Sequence, residues 1–409
     1  MQLFYSIGIR IFYLGVLVFG MFNAKAKAWI KGRKNIFERL KKNIQDDRKI
    51  VWFHAASLGE FEQGRPVMEF IKKNYPTYKI LLTFFSPSGY EVRKNYPSAD
   101  YIYYLPLDTK KNAEKFINIV NPVAVFFIKY EFWNYYLKTL KKQNISLYLI
   151  SAIFRPGQVF FRWYGRSYRE LLSCFTHLFV QDPASLTLLQ NIGIDKVTVA
   201  GDTRFDRVAE VAGTTKEIPV IKKFKGDNLV VVAGSTWQPD EELIVKFINS
   251  CSLPVKFIIA PHQIKESGLA WLDSQIEKRV IRYSKINEEN IDQAQVLVID
   301  NVGMLSSLYK YGDVAYIGGG FGVGIHNILE AATFGLPVLF GPNYKKFREA
   351  VELTELGGSF SIDEYPNFEK KMFLLLEDEK VRKIAGQKAR SFVAENQGAT
   401  KKIIENVKF

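Results

Sequence analysis

Gly318 to Pro342 reads GGGFGVGIHNILEAATFGLPVLFGP, and its punctuation decides the kind of fold. Val314 to Ile317 is a short apolar run that ends at glycines. The spacing then predicts a helix over His326 to Phe334, stopped by Gly335, and a second buried strand from Leu336 to Phe340. Strand, glycine loop, helix and strand make a βαβ unit. Glycines at 318, 319, 320, 322 and 324 let backbone approach a ligand closely. The helix after them offers unpaired N–H groups and a positive dipole end, an arrangement suited to a phosphate. His326, Asn327 and Glu330 share one helical face beside the loop, where the Glu330 carboxylate can accept hydrogen bonds from both hydroxyls of a ribose. A plain tight turn with a solvated Glu330 is the competing reading, and the polar cluster favours the nucleotide site. No G-x-G-x-x-G can be spelled here and the loop lies late in the chain, which argues against a dehydrogenase.

The same alternation runs outward in both directions. Lys49 to His54, Ile80 to Phe84, Tyr101 to Leu105, Val123 to Ile128, Ser146 to Ile150, His177 to Val180 and Val197 to Ala200 read as strands separated by helical stretches. Leu229 to Ala233, Lys256 to Ala260 and Val296 to Ile299 repeat the pattern. Such alternation predicts an α/β chain with mostly parallel sheets, and 409 residues suffice for two domains. Between them Ala212 to Asp227 turns polar and reads as a linker. Asp378 to Val407 reads as packing helices with a basic face.

Several polar groups fall just past a strand's carboxyl end, the edge at which open α/β sheets keep their ligands. Glu60 follows the first strand through Ala55-Ala56-Ser57-Leu58-Gly59, where a catalytic base can work or a carboxylate can favour a helix start. Lys129-Tyr130-Glu131-Phe132-Trp133 follows Val123 to Ile128. Ser235, Thr236 and Gly303 offer hydroxyls and helix-start amides suited to phosphate.

Lys+Arg 56 against Asp+Glu 42 gives a net charge of +14, which points to an acidic partner. The two cysteines, Cys174 and Cys251, are far apart, and the four histidines lack metal-ligand spacing, so neither a disulfide framework nor a protein-built zinc site is expected. No Asp-x-Asp occurs. Leu3 to Phe22 is apolar and aromatic, interrupted by Arg10 and followed by Lys25, Lys27, Lys31, Arg33 and Lys34. It reads as a membrane anchor that either barely spans or lies in the interface, with its basic flank held on the cytoplasmic side. Arg162, Trp163, Tyr164, Arg166 and Tyr168 form a basic aromatic patch. An acidic lipid headgroup and nucleic acid suit this patch equally by charge. No nucleic-acid motif accompanies it, and nucleic acid is not the expected partner.

HAASLGEFEQGRP at 54 to 66, KYEFW at 129 to 133, GDTRFD at 201 to 206, GSTWQPDEE at 234 to 242 and the glycine stretch together resemble the 3-deoxy-D-manno-octulosonic acid (Kdo) transferases of Gram-negative envelopes. The resemblance implies a GT-B architecture: two Rossmann-like domains with a cleft between them and a membrane-anchor helix in front. It divides the chain into an anchor and basic flank (1–34), an acceptor-binding domain (35–211), a linker (212–227) and a CMP-Kdo-binding domain (228–409). It also implies inverting transfer of Kdo from CMP-Kdo to a lipid A precursor at the cytoplasmic face of the inner membrane, without a metal or other cofactor.

By position, Glu60 resembles the general base, and Glu131 and Arg204 resemble groups that stabilise the transition state. Pro261, His262, Val302, Gly303, Met304, Asn327, Ile328, Leu329 and Glu330 resemble the donor-contacting segments; Ser235, Thr236 and Gly320, read above as suited to phosphate, are expected to join them, and Arg162 and Arg166 of the basic patch are expected on the acceptor and membrane side. The chain departs from the family in five places. Arg204 stands for a lysine, Lys129 and Met304 for glutamates, and Asn134 for a proline, while Pro261-His262-Gln263 lacks an arginine of the family's segment. Another lipid-directed GT-B transferase, a nucleotide-sugar epimerase of the same fold and a non-catalytic nucleotide-binding protein are the alternatives. Neither the number of sugars added nor the oligomeric state is legible in the sequence.

Overall fold

The computed structural model describes residues 2–44, 48–286 and 291–409. The chain divides into two compact units, Met1–Asp206 together with Gly398–Phe409, and Arg207–Gln397. Each is built on a seven-stranded sheet.

In the first unit, β1 (Ile50–Ala55), β2 (Lys79–Phe84), β3 (Tyr101–Tyr104), β4 (Pro122–Ile128), β5 (Ser146–Ala152), β6 (His177–Val180) and β7 (Val197–Val199) lie in the order β3-β2-β1-β4-β5-β6-β7. Every neighbouring pair is parallel. Parallel strands covered on both faces must be apolar throughout, and all of β1 from Ile50 to Ala55 is buried. One face packs Trp52, Phe116, Phe127 and Tyr136 together, and the other packs Phe53, Phe61, Phe84 and Phe126. The strand order reverses between β1 and β4, which places the crevice of the sheet there.

The second unit holds β8 (Leu229–Thr236), β9 (Val255–Pro261), β10 (Val280–Arg282), β11 (Val296–Val298), β12 (Val314–Ile317), β13 (Val338–Phe340) and β14 (Ser359–Ser361), in the order β10-β11-β9-β8-β12-β13-β14. All of its pairs are parallel as well. Its reversal falls between β8 and β12, so the loop after Thr236 and the glycines after Ile317 share the crevice.

The unit boundaries differ from those expected. The second unit begins at Arg207, and the stretch expected to be a bare linker carries the helix Pro219–Lys225, which buries Ile221 and Phe224. The last twelve residues, Gly398–Phe409, belong to the first unit rather than the second. The Asp206 carboxylate accepts the backbone N–H of Gly398 and of Thr400 at 2.6 Å each. Ile403 of the helix Ala399–Glu405 is fully buried there, and the Lys408 N–H donates to the Tyr148 hydroxyl at 2.9 Å.

The apolar amino terminus forms the helix Gln2–Phe19. Among the described residues no helix is long and apolar enough to cross a membrane, so the spanning alternative is not met. Leu3, Phe4, Ile11, Leu14, Val18, Phe19, Met21 and Phe22 are exposed. The helix is nevertheless pinned to its unit: Tyr5 donates to Asp108 at 2.5 Å, and Phe12 packs against Trp29 and Phe85.

Candidate active site

In the first unit, the crevice between β1 and β4 receives Glu60 and Glu131 from adjacent strands. Glu60 lies in the first turn of the helix Leu58–Asn74, where its carboxylate accepts the Ser57 hydroxyl and benefits from the positive end of the helix dipole. It remains half-buried and reachable. Its charge is felt by Tyr130, whose hydroxyl is raised first by burial, with Arg155 opposing and Asp182 and Glu60 adding to the shift.

Beyond β4 the chain turns through Lys129, which has a left-handed backbone with φ 69°. Glu131 follows, only 7% exposed. Its Oε2 accepts the Trp133 indole N–H at 2.6 Å and lies 3.0 Å from His54 Nε2. His54 is the next-to-last residue of β1, and its Nδ1 faces the carbonyl oxygen of Thr83 at 3.1 Å on β2. Strand order thus brings His54, Thr83, Glu131 and Trp133 into one buried network.

Arg204 starts from the far edge of the sheet, after β7, yet its segment returns to the helix of Glu60. The Thr203 hydroxyl donates to the Gln63 carbonyl, one turn beyond Glu60, and the Ser151 hydroxyl reaches the same oxygen at 3.4 Å. The Arg204 guanidinium makes two hydrogen bonds to Asp202 Oδ2, at 2.9 and 2.7 Å. Asp202 therefore sets where the cation points. Arg162 and Arg166 are exposed; Arg166 opens the helix Arg166–Leu172.

In the second unit the glycine loop is organised by a carboxylate that sequence reading passed over. Asp240 is buried and accepts the N–H groups of Gly319 and Trp237 at 2.9 Å each, and the Tyr316 hydroxyl at 2.7 Å. Burial pushes its carboxyl above the ordinary value, opposed by these three donors. Gly318 is required by its neighbours, because a Cβ there would lie 2.3 Å from the Ser235 carbonyl oxygen. At Gly320 a Cβ would lie 2.5 Å from the Gly341 nitrogen.

The helix expected over His326 to Phe334 is only Leu329–Ala332, too short to present a set of free N–H groups to an anion. The shortening has a local cause. Asn327 Oδ1 accepts the Leu329 N–H at 3.1 Å, and the His326 ring turns away to stack on His262 with centroids 4.4 Å apart. Trp237 stacks on the other partner, 4.6 Å from His262, and its indole N–H donates to His326 Nε2 at 3.1 Å. Burial, with His262 adding to it, lowers the His326 pKa to about 4.

His262, Thr236 and His326 therefore meet: the His262 N–H also donates to the Thr236 carbonyl at 2.8 Å. Pro261 ends β9 beside them. Glu330 forms a second group with Asn327, which donates at 3.2 Å, and Ser306, which donates at 2.5 Å. Ile328 and Leu329 are buried beneath it. Ser235 holds a left-handed backbone at φ 54°, Met304 precedes the short helix Leu305–Leu308, and Val302 is exposed. The arrangement offers ring faces and a carboxylate to a planar, hydroxylated ligand.

The family model described as 3-deoxy-D-manno-octulosonic-acid transferase matches residues 33–207. The 3-deoxy-D-manno-octulosonic acid transferase of Chlamydia muridarum is 27% identical over 403 residues, covering 94% of this chain and 89% of that protein. That of Haemophilus influenzae is 26% identical, covering 88% and 86%. That of Aquifex aeolicus is 27% identical, covering 86% and 96%. Among solved structures, UDP-GlcNAc 2-epimerase from Neisseria meningitidis superposes with a TM-score of 0.60 at 18% identity, covering 87% of this chain and 98% of that one. A glycosyltransferase from Rickettsia africae superposes with a TM-score of 0.56 at 12% identity, covering 88% and 97%. These likenesses to solved structures are of fold alone.

Fold and sequence relatives together define a glycosyltransferase of the GT-B class. Residues 33–207 carry the domain of the 3-deoxy-D-manno-octulosonic acid (Kdo) transferase family, and the curated relatives of that name are similar over most of the chain.

Proposed function

We propose that the protein transfers Kdo from CMP-Kdo to a lipid A precursor, as a step of lipopolysaccharide inner-core synthesis at the cytoplasmic face of the inner membrane. The observation that carries this reading is the placement of Glu60 and Glu131 after adjacent strands at the crevice of the first sheet, in a chain that carries this family's domain.

Glu60 is the general base: its accessible carboxylate takes the proton of the acceptor hydroxyl as that oxygen bonds to the anomeric carbon of Kdo. The bond from that carbon to the CMP phosphate oxygen breaks with its electron pair, and the configuration inverts. Arg204, aimed by Asp202, and the Glu131 network stabilise the charge that shifts during transfer. In the second unit the Trp237-His262-His326 stack suits a cytosine face and Glu330 suits ribose hydroxyls. A departing monophosphate needs less charge neutralisation than a diphosphate, so no divalent ion or other cofactor is expected. The exposed apolar face of Gln2–Phe19, with its basic flank, holds the protein on the membrane surface.

The test is transfer from CMP-Kdo to a tetra-acylated lipid A precursor by the membrane-bound protein with EDTA present. Product from the wild type, and nearly none from Glu60→Ala with CMP binding intact, supports the reading. Turnover of UDP-sugars with none of CMP-Kdo overturns the donor and leaves the fold. Epimerisation of UDP-GlcNAc would do the same in favour of the epimerase reading.

A further inference from the structure

The second sheet carries a cavity of about 560 Å³ at the carboxyl ends of β13 and β14, on the same edge as the crevice between β8 and β12. Tyr344 and Lys345 from the segment after β13, Asp363 after β14, and Asn367, Lys370 and Lys371 of the helix Tyr365–Glu377 line it. The volume lies in the range of small-molecule sites.

Charge is out of balance in this wall. Lys345 and Lys370 are exposed and make no hydrogen bond or ion pair among the described residues, and the Lys371 ammonium lies over the Phe360 ring, 4.6 Å from its centroid. Asp363 is the one acid among the lining residues, and the Asn367 amide donates to its Oδ1 at 2.6 Å. Three cations against one anion leave the wall at +2, which matches the charge of about −1.5 to −2 on a phosphate monoester near neutral pH. A single carboxylate would neutralise only half of it. Lysine binds phosphate as a point charge and needs no planar fork. The second oxygen of Asp363 is left to accept a hydroxyl of the group that bears the phosphate.

Residues 341–347 tie this cavity to the glycine loop. Tyr344 and Lys345 face the cavity, while Asn343 and Lys346 hold the loop. Asn343 Nδ2 donates to the Gly322 carbonyl at 2.8 Å, its backbone N–H donates to the Gly320 carbonyl at 3.0 Å, and the Lys346 ammonium donates to the Val323 carbonyl. Gly341 is packed so closely on the loop that a Cβ there would lie 2.6 Å from the Gly320 carbonyl carbon. Tyr344 is fixed from below, its ring centroid 5.2 Å from that of Phe340 at the end of β13. A ligand that draws Lys345 and Tyr344 into place therefore acts on the loop as well.

We propose that this cavity is a second anion site, distinct from the crevice between β8 and β12, that takes a phosphate monoester and is coupled to that crevice through residues 341–347. The site stands on its own residues; only the coupling rests on the transferase reading, which puts CMP at the glycine loop. A segment ordered by one ligand costs the other less, and such coupling is reciprocal, so monoester and CMP each tighten the binding of the other.

The test is calorimetric titration of the full-length protein with N-acetylglucosamine 1-phosphate, and with N-acetylglucosamine as the neutral control, each with and without saturating CMP. The phosphate should bind and the neutral sugar should not. Lys345→Ala/Lys370→Ala should lose at least about tenfold in affinity for the monoester, the usual cost of removing charge-assisted hydrogen bonds. CMP should bind about fivefold tighter when the cavity is filled. Both lysines are exposed, and CMP affinity without the monoester checks that the variant is folded. Asn343→Ala, which releases the glycine loop from the segment, should bind the monoester as the wild type does and lose the effect on CMP. Vesicles of phosphatidylcholine with and without phosphatidic acid separate the sources of the phosphate. A gain from phosphatidic acid that the double substitution removes assigns a lipid headgroup, and soluble binding without that gain assigns a free sugar phosphate; either supports the site. Monoester displaced competitively by CMP and untouched by the lysine substitutions overturns it, as does binding of neither monoester nor phosphatidic acid through these lysines. Equal CMP affinity with and without bound monoester overturns the coupling. A protein that binds the monoester through these lysines and binds no CMP overturns the donor reading and leaves the site standing.

Discussion

His54 Nε2 lies 3.0 Å from Glu131 Oε2, with the imidazole fully buried and the carboxylate nearly so. His54 Nδ1 meets both the Thr83 hydroxyl at 2.9 Å and the Thr83 carbonyl oxygen at 3.1 Å, and the Trp133 indole N–H approaches both Nε2 and Oε2, so the imidazole and the carboxylate are held on every side.

Removing either partner leaves the other buried without its match. His54→Ala should lower stability by about 3–5 kcal/mol, the usual cost of breaking a buried pair, read as a lower midpoint in urea unfolding. His54→Gln, which still donates from its amide, should recover part of that stability and part of kcat. Equal kcat in wild type and His54→Ala would remove Glu131 from the reaction.

Gly318→Ala places a methyl group against the Ser235 carbonyl at 2.3 Å. Backbone cannot yield as a flexible side chain does, so the substitution should cost about 1–3 kcal/mol and raise the KM for CMP-Kdo. Gly322→Ala is the control. A Cβ there meets nothing nearer than the Gly319 oxygen at 3.6 Å, and both stability and KM should be preserved.

The His326 ring should titrate near 4 by two-dimensional NMR, with its value returning toward that of an ordinary histidine in His262→Ala. A depressed folded value means that protonation favours the unfolded chain. The stabilising contribution is therefore present above the ordinary histidine pKa and is lost as pH falls toward 4. Protonation also ends the acceptance of the Trp237 N–H, so indole fluorescence should change over the same interval.

Asp108 behaves with the opposite sign. Burial pushes its carboxyl up to about 6, against the stabilising donors Tyr5, Tyr135 N–H and Tyr136 N–H. Its contribution is full below the unfolded carboxyl value and is lost as pH rises through 6. A difference of this size corresponds to about 3 kcal/mol. Asp108→Asn should flatten the stability of the first unit between pH 4 and 6, measured by thermal unfolding across that range.

The sheets were legible because parallel strands buried on both faces are written as unbroken apolar runs such as Val123 to Ile128. β10 and β14, three residues each, were too short to stand out, and Ser359–Ser361 is polar at both ends. The short helix at Leu329 was overread because helical spacing cannot register that His326 prefers a ring to stack on. Glu60, Glu131 and Glu330 were visible as carboxylates past strand ends. Their partners were not: His54 and Glu131 are 77 residues apart, and only strand order makes them neighbours. Asp240 is hidden for the same reason: the Gly319 N–H that it accepts lies 79 residues further along the chain.

The return of Gly398–Phe409 to the first unit sets the timetable of synthesis. The first sheet leaves the ribosome early, but Ile403 and the two amides that satisfy Asp206 are translated only after the second unit. The amino-terminal half must wait, with part of its apolar surface uncovered, until the second unit has emerged. A stop codon at position 398 would then damage the half of the protein made first while leaving the second unit whole.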